Sequence, residues 1–182
     1  MRVDAPPFDN PKVRLALNLA VDRAAIAKQI YGGHADFPHL PLDETWEGYF
    51  TPAEKMSEEA REVLQYNPAK AKKLLAEAGL ANGFEFKAQV PTFADQLKKA
   101  QIVAGYLSAI GVKMIIEPKE YGAFLSLMTS GKHGPGYWHF AGMSNPTASV
   151  ENLFRSSSVW NTARVNDPKV DAALDAIQQE RD

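Results

Sequence analysis

The chain has 182 residues, a net charge of −2 and a hydrophobic content of 45%, an ordinary balance for one globular domain that buries roughly 70% of its unfolded surface. That charge argues against a nucleic-acid partner, which calls for a basic patch or stripe, and no apolar run is long enough to cross a bilayer. Cysteine is absent, so disulfides, thiolate metal sites and a cysteine nucleophile are excluded, and an oxidising compartment is compatible with the sequence.

Met1-Arg2-Val3-Asp4 runs into Ala-Pro-Pro-Phe, without the apolar stretch of a signal peptide. At the other end, Gln178 to Asp182 stops while a helical pattern is still running. Either the protein is cytoplasmic, or this is an excerpt of a longer chain with an added initiator methionine; the two ends together favour the excerpt. Asp9-Asn10-Pro11 opens a helix with Val13, Ala16, Leu17 and Ala20 in one stripe, and Asp22 caps a second helix through Ile26 and Ile30, closed by Gly32-Gly33. From His34 to Pro52 the periodicity disappears, and Pro38, Pro41, Trp46, Gly48 and Tyr49 read as a long ordered loop of the kind that carries function or packs over something. Ser57 to Gln65 reads as a short helix. Asn67 then caps a helix with Pro68 in its first turn, Ala71, Leu74, Leu75 and Ala78 as its stripe, and Gly79 at its left-handed exit.

Beyond the loop Leu80 to Gly83, Phe84, Phe86, Ala88 and Val90 alternate with mostly polar neighbours, so the period drops to 2 and marks a strand. Asp95 is placed to cap a long helix that buries Val103, Tyr106, Leu107 and Ile110 and ends at Gly111, and Val112 to Glu117 is a second strand. Strand, helix, strand at this spacing predicts parallel strands joined by a right-handed crossover. A further helix buries Tyr121, Phe124, Leu125 and Met128 and ends at Gly131. Tyr137 to Ala141 reads as a third strand, and Asp167-Pro168 opens a last helix with Val170, Ala173, Leu174 and Ile177 inward. The expected architecture is a three-layer α/β domain spanning 1–182, with a mixed, largely parallel sheet flanked by helices.

Catalysis has no positive support. The sequence contains no GxxxxGK[ST] loop, no GxGxxG after a strand, no GxSxG elbow and no HExxH. His34, His39, His133 and His139 are not spaced to share a helix face, so no metal is expected. Asp43-Glu44 and Glu117/Glu120 read as solvated charge rather than acid–base pairs. The stretch from Tyr137 to Asn161 differs in character. Tyr137, Trp138, His139 and Phe140 run into Ala-Gly-Met-Ser-Asn-Pro, a strand ending in a small-residue loop, and open α/β sheets collect ligands outside the carboxyl ends of their strands. Trp46, Trp138 and Trp160 lie in or beside loops, where core packing and ligand contact are both open to them.

The order of these motifs resembles a known family. PPFDNPKVRLALNLAVDRAAIAKQIYGG is similar to the opening of the second lobe of family 5 extracytoplasmic solute-binding proteins, the peptide-, nickel- and oligosaccharide-binding components of ABC importers. The likeness continues through YNPAKAKKLLAEAGLANGFEF, IVAGYLSAIGVKMIIEPKEYGAFLSLMTSGKH and NDPKVDAALDAI. It implies one lobe of a type II-like, two-lobed periplasmic binding protein that closes on a solute by hinge motion and is then met by a membrane permease. It also implies a missing first lobe of the same chain, a periplasmic or extracytoplasmic location, and no enzyme activity, cofactor or nucleic-acid partner. The family's strand end commonly reads Gly-Trp-x-x-Asp, then Asp-Pro. Here the matching positions are His139, Phe140, Ala141, Gly142 and Met143, then Asn145 and Pro146. The carboxylate that pairs with a peptide's α-ammonium is thus replaced by the Met143 thioether, which cannot neutralise it. The resemblance therefore implies a less polar, aromatic or sugar-like solute, contacted by Trp138, Phe140, Met143, Asn145, Trp46 and Asn161. Two other roles remain open: the ligand-sensing domain of a transcription regulator built on the same lobe, which a helix-turn-helix upstream would mark, and an enzyme, which would need a cluster of titratable side chains in one cleft.

Overall fold

The computed structural model describes residues 1–34, 48–137 and 145–179. Its helical starts repeat one device. Asn10, Asn67 and Asn145 each precede a proline and accept a hydrogen bond from the backbone N–H of Lys12, Lys70 and Ala148, respectively. The proline occupies a first-turn position where an N–H has no helical partner, and the asparagine satisfies one that would otherwise be orphaned. These caps open α1 (Pro11–Leu19), α4 (Pro68–Glu77) and α7 (Pro146–Phe154). Asp22 caps α2 (Arg23–Tyr31) through Ala25 N–H, and Ser57 caps the single turn and a half of α3 (Glu58–Glu62), shorter than the helix read to Gln65.

The sheet is built from β1 (Phe84–Pro91), β2 (Val112–Lys119) and β3 (Gly136–Tyr137), in the order β2-β1-β3. Both pairings among the described residues are parallel, with Phe84 opposite Val112, Phe86 opposite Met114 and Ala88 opposite Gly136. Pro118 is tolerated because β2 lies at an edge, where a missing N–H breaks no second ladder. Helices α5 (Ala94–Ser108) and α6 (Tyr121–Thr129) make the crossovers. One steps from β1 to β2 and the other steps back past β1 to β3, so right-handed connections put them on opposite faces of the sheet and give three layers.

The main core lies on the α5 side. Phe84 and Phe86 pack there with Phe8, α1 contributes Val13, Ala16, Leu17 and Leu19, α4 contributes Ala71, Leu74 and Leu75, and Leu107, Ile110 and Val112 close the cluster. On the other face Glu85 and Lys113 pair at 2.7 Å and Lys87 and Glu117 at 3.1 Å. Exposed pairs of this kind add little stability. The N-terminal arm straps the molecule: Arg2 N–H donates to Pro135 O at 3.0 Å, Val3 N–H to Ala163 O at 2.8 Å, and the Arg2 guanidinium to His133 O at 3.2 Å.

Other sequence expectations change as well. Asp95 does not cap α5: the N-cap position is Phe93, because Thr92 N–H already donates to Lys119 O and turns the chain, and Asp95 instead pairs with Lys99 one turn on at 3.2 Å. Tyr121 is not inward but 48% exposed, since it is the first residue of α6 and projects past the sheet, whereas Phe124 and Met128 are buried as expected. In α8 (Pro168–Gln179) only Leu174 is buried, while Ala173 and Ile177 face solvent, because this helix packs mainly against α7.

His133 sets an expected pH response. Its ring is 2% exposed and bonds Gly134 O through Nδ1 at 3.0 Å. Burial pushes its pKa down from the usual histidine value, and the Arg2 and Arg164 guanidiniums add to the shift. The unfolded chain therefore binds the extra proton first, so the contribution of His133 to stability is constant above about pH 7 and falls as pH drops below the ordinary histidine range near 6.5. Urea midpoints at pH 7.5 and 5.5 are expected to differ more for this chain than for His133→Asn; equal differences would remove His133 from the account.

Candidate functional site

The carboxyl ends of β1 and β2 are stitched together by the bond from Thr92 N–H to Lys119 O, at 3.0 Å. Each strand then delivers an aromatic residue at the start of the next helix. Phe93 and Tyr121 stand side by side, ring centroids 5.2 Å apart at an interplanar angle of 46°, and are 49% and 48% exposed. The carboxylates around them are occupied. Glu120 accepts from Ala123 N–H at 3.1 Å, and the N–H groups of Gly122 and Ala123 hold its carboxyl below the usual range. Glu117 faces Lys87 and Asp95 faces Lys99. The pairing of Glu117 with Glu120 as acid and base is thus not built: Glu120 caps a helix and Glu117 pairs with Lys87.

Among the expected ligand residues, Trp46, Trp138, Phe140 and Met143 lie outside the described residues, as do Asp43, Glu44, His39 and His139. Asn145 is described, and its exposed side chain caps α7. Asn161 is 1% exposed, and its carboxamide ties one loop together: Nδ2 donates to Arg155 O at 3.1 Å and Val165 O at 2.7 Å, and Oδ1 accepts from Val165 N–H at 3.0 Å. A side chain so engaged shapes the loop between α7 and α8. The same region is knit by Arg155, which pairs with Glu151 and with Asp175 at 2.9 Å and has its pKa raised first by the Glu151 bond. Ser156 donates to Asp171 from Oγ at 2.6 Å and from its N–H at 2.9 Å, which holds the Asp171 carboxyl low.

A cavity of about 460 Å³ lies between the sheet, α5 and the α1–α2 segment, with Phe86, Ala88, Met114, Val103, Leu17 and Ile26 among its walls and Arg23 and Lys99 among its lining residues. It is an apolar gap beside the core rather than a strand-end site. Among the described residues no three His, Asp or Glu side chains are grouped as a metal would need. Sequence reasoning missed Phe93 and misplaced Tyr121. Their signal was position: an aromatic residue within two places of the end of each parallel strand, where a side chain meets solvent rather than the core.

The parallel strands of this α/β layer structure end at a shared, partly aromatic edge, the position where open sheets of this kind take ligands. Residues 1–162 match the model of the bacterial extracellular solute-binding proteins, family 5, middle region, and the chain belongs to that family. It is 33% identical over 179 residues to a heme-binding protein A of Haemophilus influenzae, covering 92% of this chain and 31% of that protein. It is 31% identical over 187 residues to a glutathione-binding protein of Pectobacterium atrosepticum, covering 96% of this chain and 34% of the relative. Among solved structures, an ABC transporter-associated periplasmic binding protein from Helicobacter pylori, in complex with the peptide STSA, superposes with a TM-score of 0.83 at 26% identity, over 100% of this chain and 35% of that one. The chain thus spans about a third of the length of the relatives it matches.

Proposed function

We propose that this chain is one ligand-binding lobe of the substrate-binding component of an ABC importer, working outside the cytoplasmic membrane. In this reading a companion lobe of the same polypeptide closes over the carboxyl edge of the sheet, and the closed form hands its solute to a membrane permease. The observation that carries the reading is the family match over residues 1–162, on a lobe whose strand ends converge on an exposed aromatic edge. Relatives named for binding heme and glutathione support capture and delivery over the sensor-domain alternative. Trp46, Trp138, Phe140, Met143, Asn145 and Asn161 are proposed as the lobe's contributions to the site, with Asn161 acting through the loop it holds. Because the family resemblance sets Met143 at the position of the carboxylate that pairs with a peptide amine, the solute is proposed not to depend on a free α-ammonium group.

The test is fluorescence titration of the full-length protein, washed free of ligand, with short peptides, their N-acetylated forms, glutathione and heme. One-to-one saturable binding that survives acetylation within about threefold, a difference of under 1 kcal/mol, is the expected result. Micromolar peptide binding that acetylation abolishes would overturn the proposal about the amine. Failure of every solute, together with no stimulation of the permease ATPase, would overturn the transport assignment.

A further inference from the structure

We propose that Phe93 and Tyr121 form an aromatic shelf that receives a flat, apolar part of the solute, an aromatic side chain or a fused heterocycle. The inference rests on reading the chain as a solute-binding lobe and assigns a chemical class to part of its site.

Two features single the pair out. The first is placement. Phe93 follows β1 by two residues and Tyr121 follows β2 by two, so both stand at the carboxyl edge where open α/β sheets take their ligands. The hydrogen bond from Thr92 N–H to Lys119 O fixes the two backbones against each other, so the shelf is anchored on strand ends rather than on a free loop. The second is exposure without a structural duty. Each ring leaves about half its surface to water, at 49% and 48%, while its only described aromatic neighbour is the other ring, 5.2 Å away. Neither side chain belongs to the core cluster, which is closed by Phe8, Phe84 and Phe86.

The carboxylates beside the shelf are already engaged by groups of this chain. Glu120 is held by the N–H groups at the start of α6, Asp95 is paired with Lys99 at 3.2 Å, and Glu117 is paired with Lys87 at 3.1 Å. Discrimination at this point of the edge therefore comes from ring contact, which prefers a second π-face over an aliphatic group of similar size. A tilted pair at 46° offers two ring planes, suited to a group wider than one methyl or hydroxyl.

The experiment titrates the chain with two uncharged probes, N-acetyl-tryptophanamide and N-acetyl-alaninamide, and follows backbone amide resonances by NMR. The tryptophan probe is expected to shift residues 92–95 and 119–122 with millimolar affinity, as suits one lobe offering only part of a cleft. The alanine probe is expected to leave them in place. Phe93→Ser and Tyr121→Ser should each weaken the tryptophan probe by about 5- to 10-fold, whereas Tyr121→Phe should hold it within about twofold, since the ring rather than the hydroxyl makes the contact. Urea midpoints of the serine variants, unchanged from the parent, establish that the loss is local. No shift at 20 mM probe, shifts confined to other residues, or undiminished binding by the double serine variant would each overturn the shelf. In the full-length protein the two readings separate: solute binding indifferent to both serine changes sinks the shelf alone, while no binding of any solute sinks the transport reading.

Discussion

Replacing Phe8 with alanine is expected to destabilise the fold by about 3–5 kcal/mol, the range for removing a fully enclosed aromatic side chain. Phe8 is 0% exposed although it lies in the N-terminal arm, outside any helix or strand. Its ring meets Phe86 edge-on at 5.1 Å and 83° and Phe84 at 6.0 Å and 72°, so it bridges the arm to the central strand. Edge-to-face contacts of this kind add to the burial term. The arm's backbone is fixed by Phe8 N–H donating to Ala5 O at 2.9 Å and by the Arg14 guanidinium donating to Phe8 O at 2.7 Å, so the cavity cannot collapse by a simple shift of the chain. Urea denaturation followed by circular dichroism measures the loss. Phe93→Ala, at a half-exposed ring, is the control and should change stability by well under about 1 kcal/mol. A Phe8→Ala loss no larger than the control's would mean that the arm is dispensable to the core.

The second large effect is at Gly83, and its partner Gly111 supplies the contrast. Both precede strands, and both have positive φ, +74° and +83°. At Gly83 an added Cβ would lie 1.8 Å from Gly111 O and 2.6 Å from its carbonyl carbon, a collision with backbone that no rotamer relieves. At Gly111 the nearest atom to an added Cβ is Gly83 Cα at 3.6 Å, an ordinary contact. Gly83→Ala therefore combines left-handed strain with forced separation of the two strand starts and is expected to lose about 3–4 kcal/mol or more. Gly111→Ala carries the strain alone, about 1–2 kcal/mol. Chemical denaturation of the two variants side by side checks the ordering, and equal losses would show that the close approach of the strand starts is relaxed in solution.

The strand–helix–strand unit and its neighbours were legible because their signals are local. Asn67-Pro68 before a spaced apolar stripe, and Gly79 after it, specify α4 without reference to the rest of the chain. The alternation of Phe84, Phe86, Ala88 and Val90 specifies β1 in the same way. The start of α7 carried the identical Asn-Pro signature at Asn145-Pro146, but it fell inside a stretch read as a ligand loop, and the helix was missed. Periodicity misplaced Tyr121 and Ile177 for another reason. A helical stripe shows which side chains share a face, yet not whether a neighbour reaches that end of the helix to cover it. Leu174 has such a neighbour and Ile177, 40% exposed, does not. Phe93 escaped notice because its role comes from standing beside Tyr121, 28 residues away in sequence, a proximity created only when β1 and β2 pair.

The strand order has a consequence for how the molecule is made. β1 and β2 meet across one helix, but β3 must return past them to dock on the far side of β1, pairing Ala88 with Gly136. A growing polypeptide halted before Gly136 therefore carries a central strand with one flank bare, a template for pairing with another nascent chain. Gly136 itself leaves no slack at that closing step, since a methyl group there would meet Lys87 O and the Phe86 ring at 2.6 Å. Closure of the described sheet thus waits on the docking of β3, and chaperone dependence should concentrate in the interval before it docks.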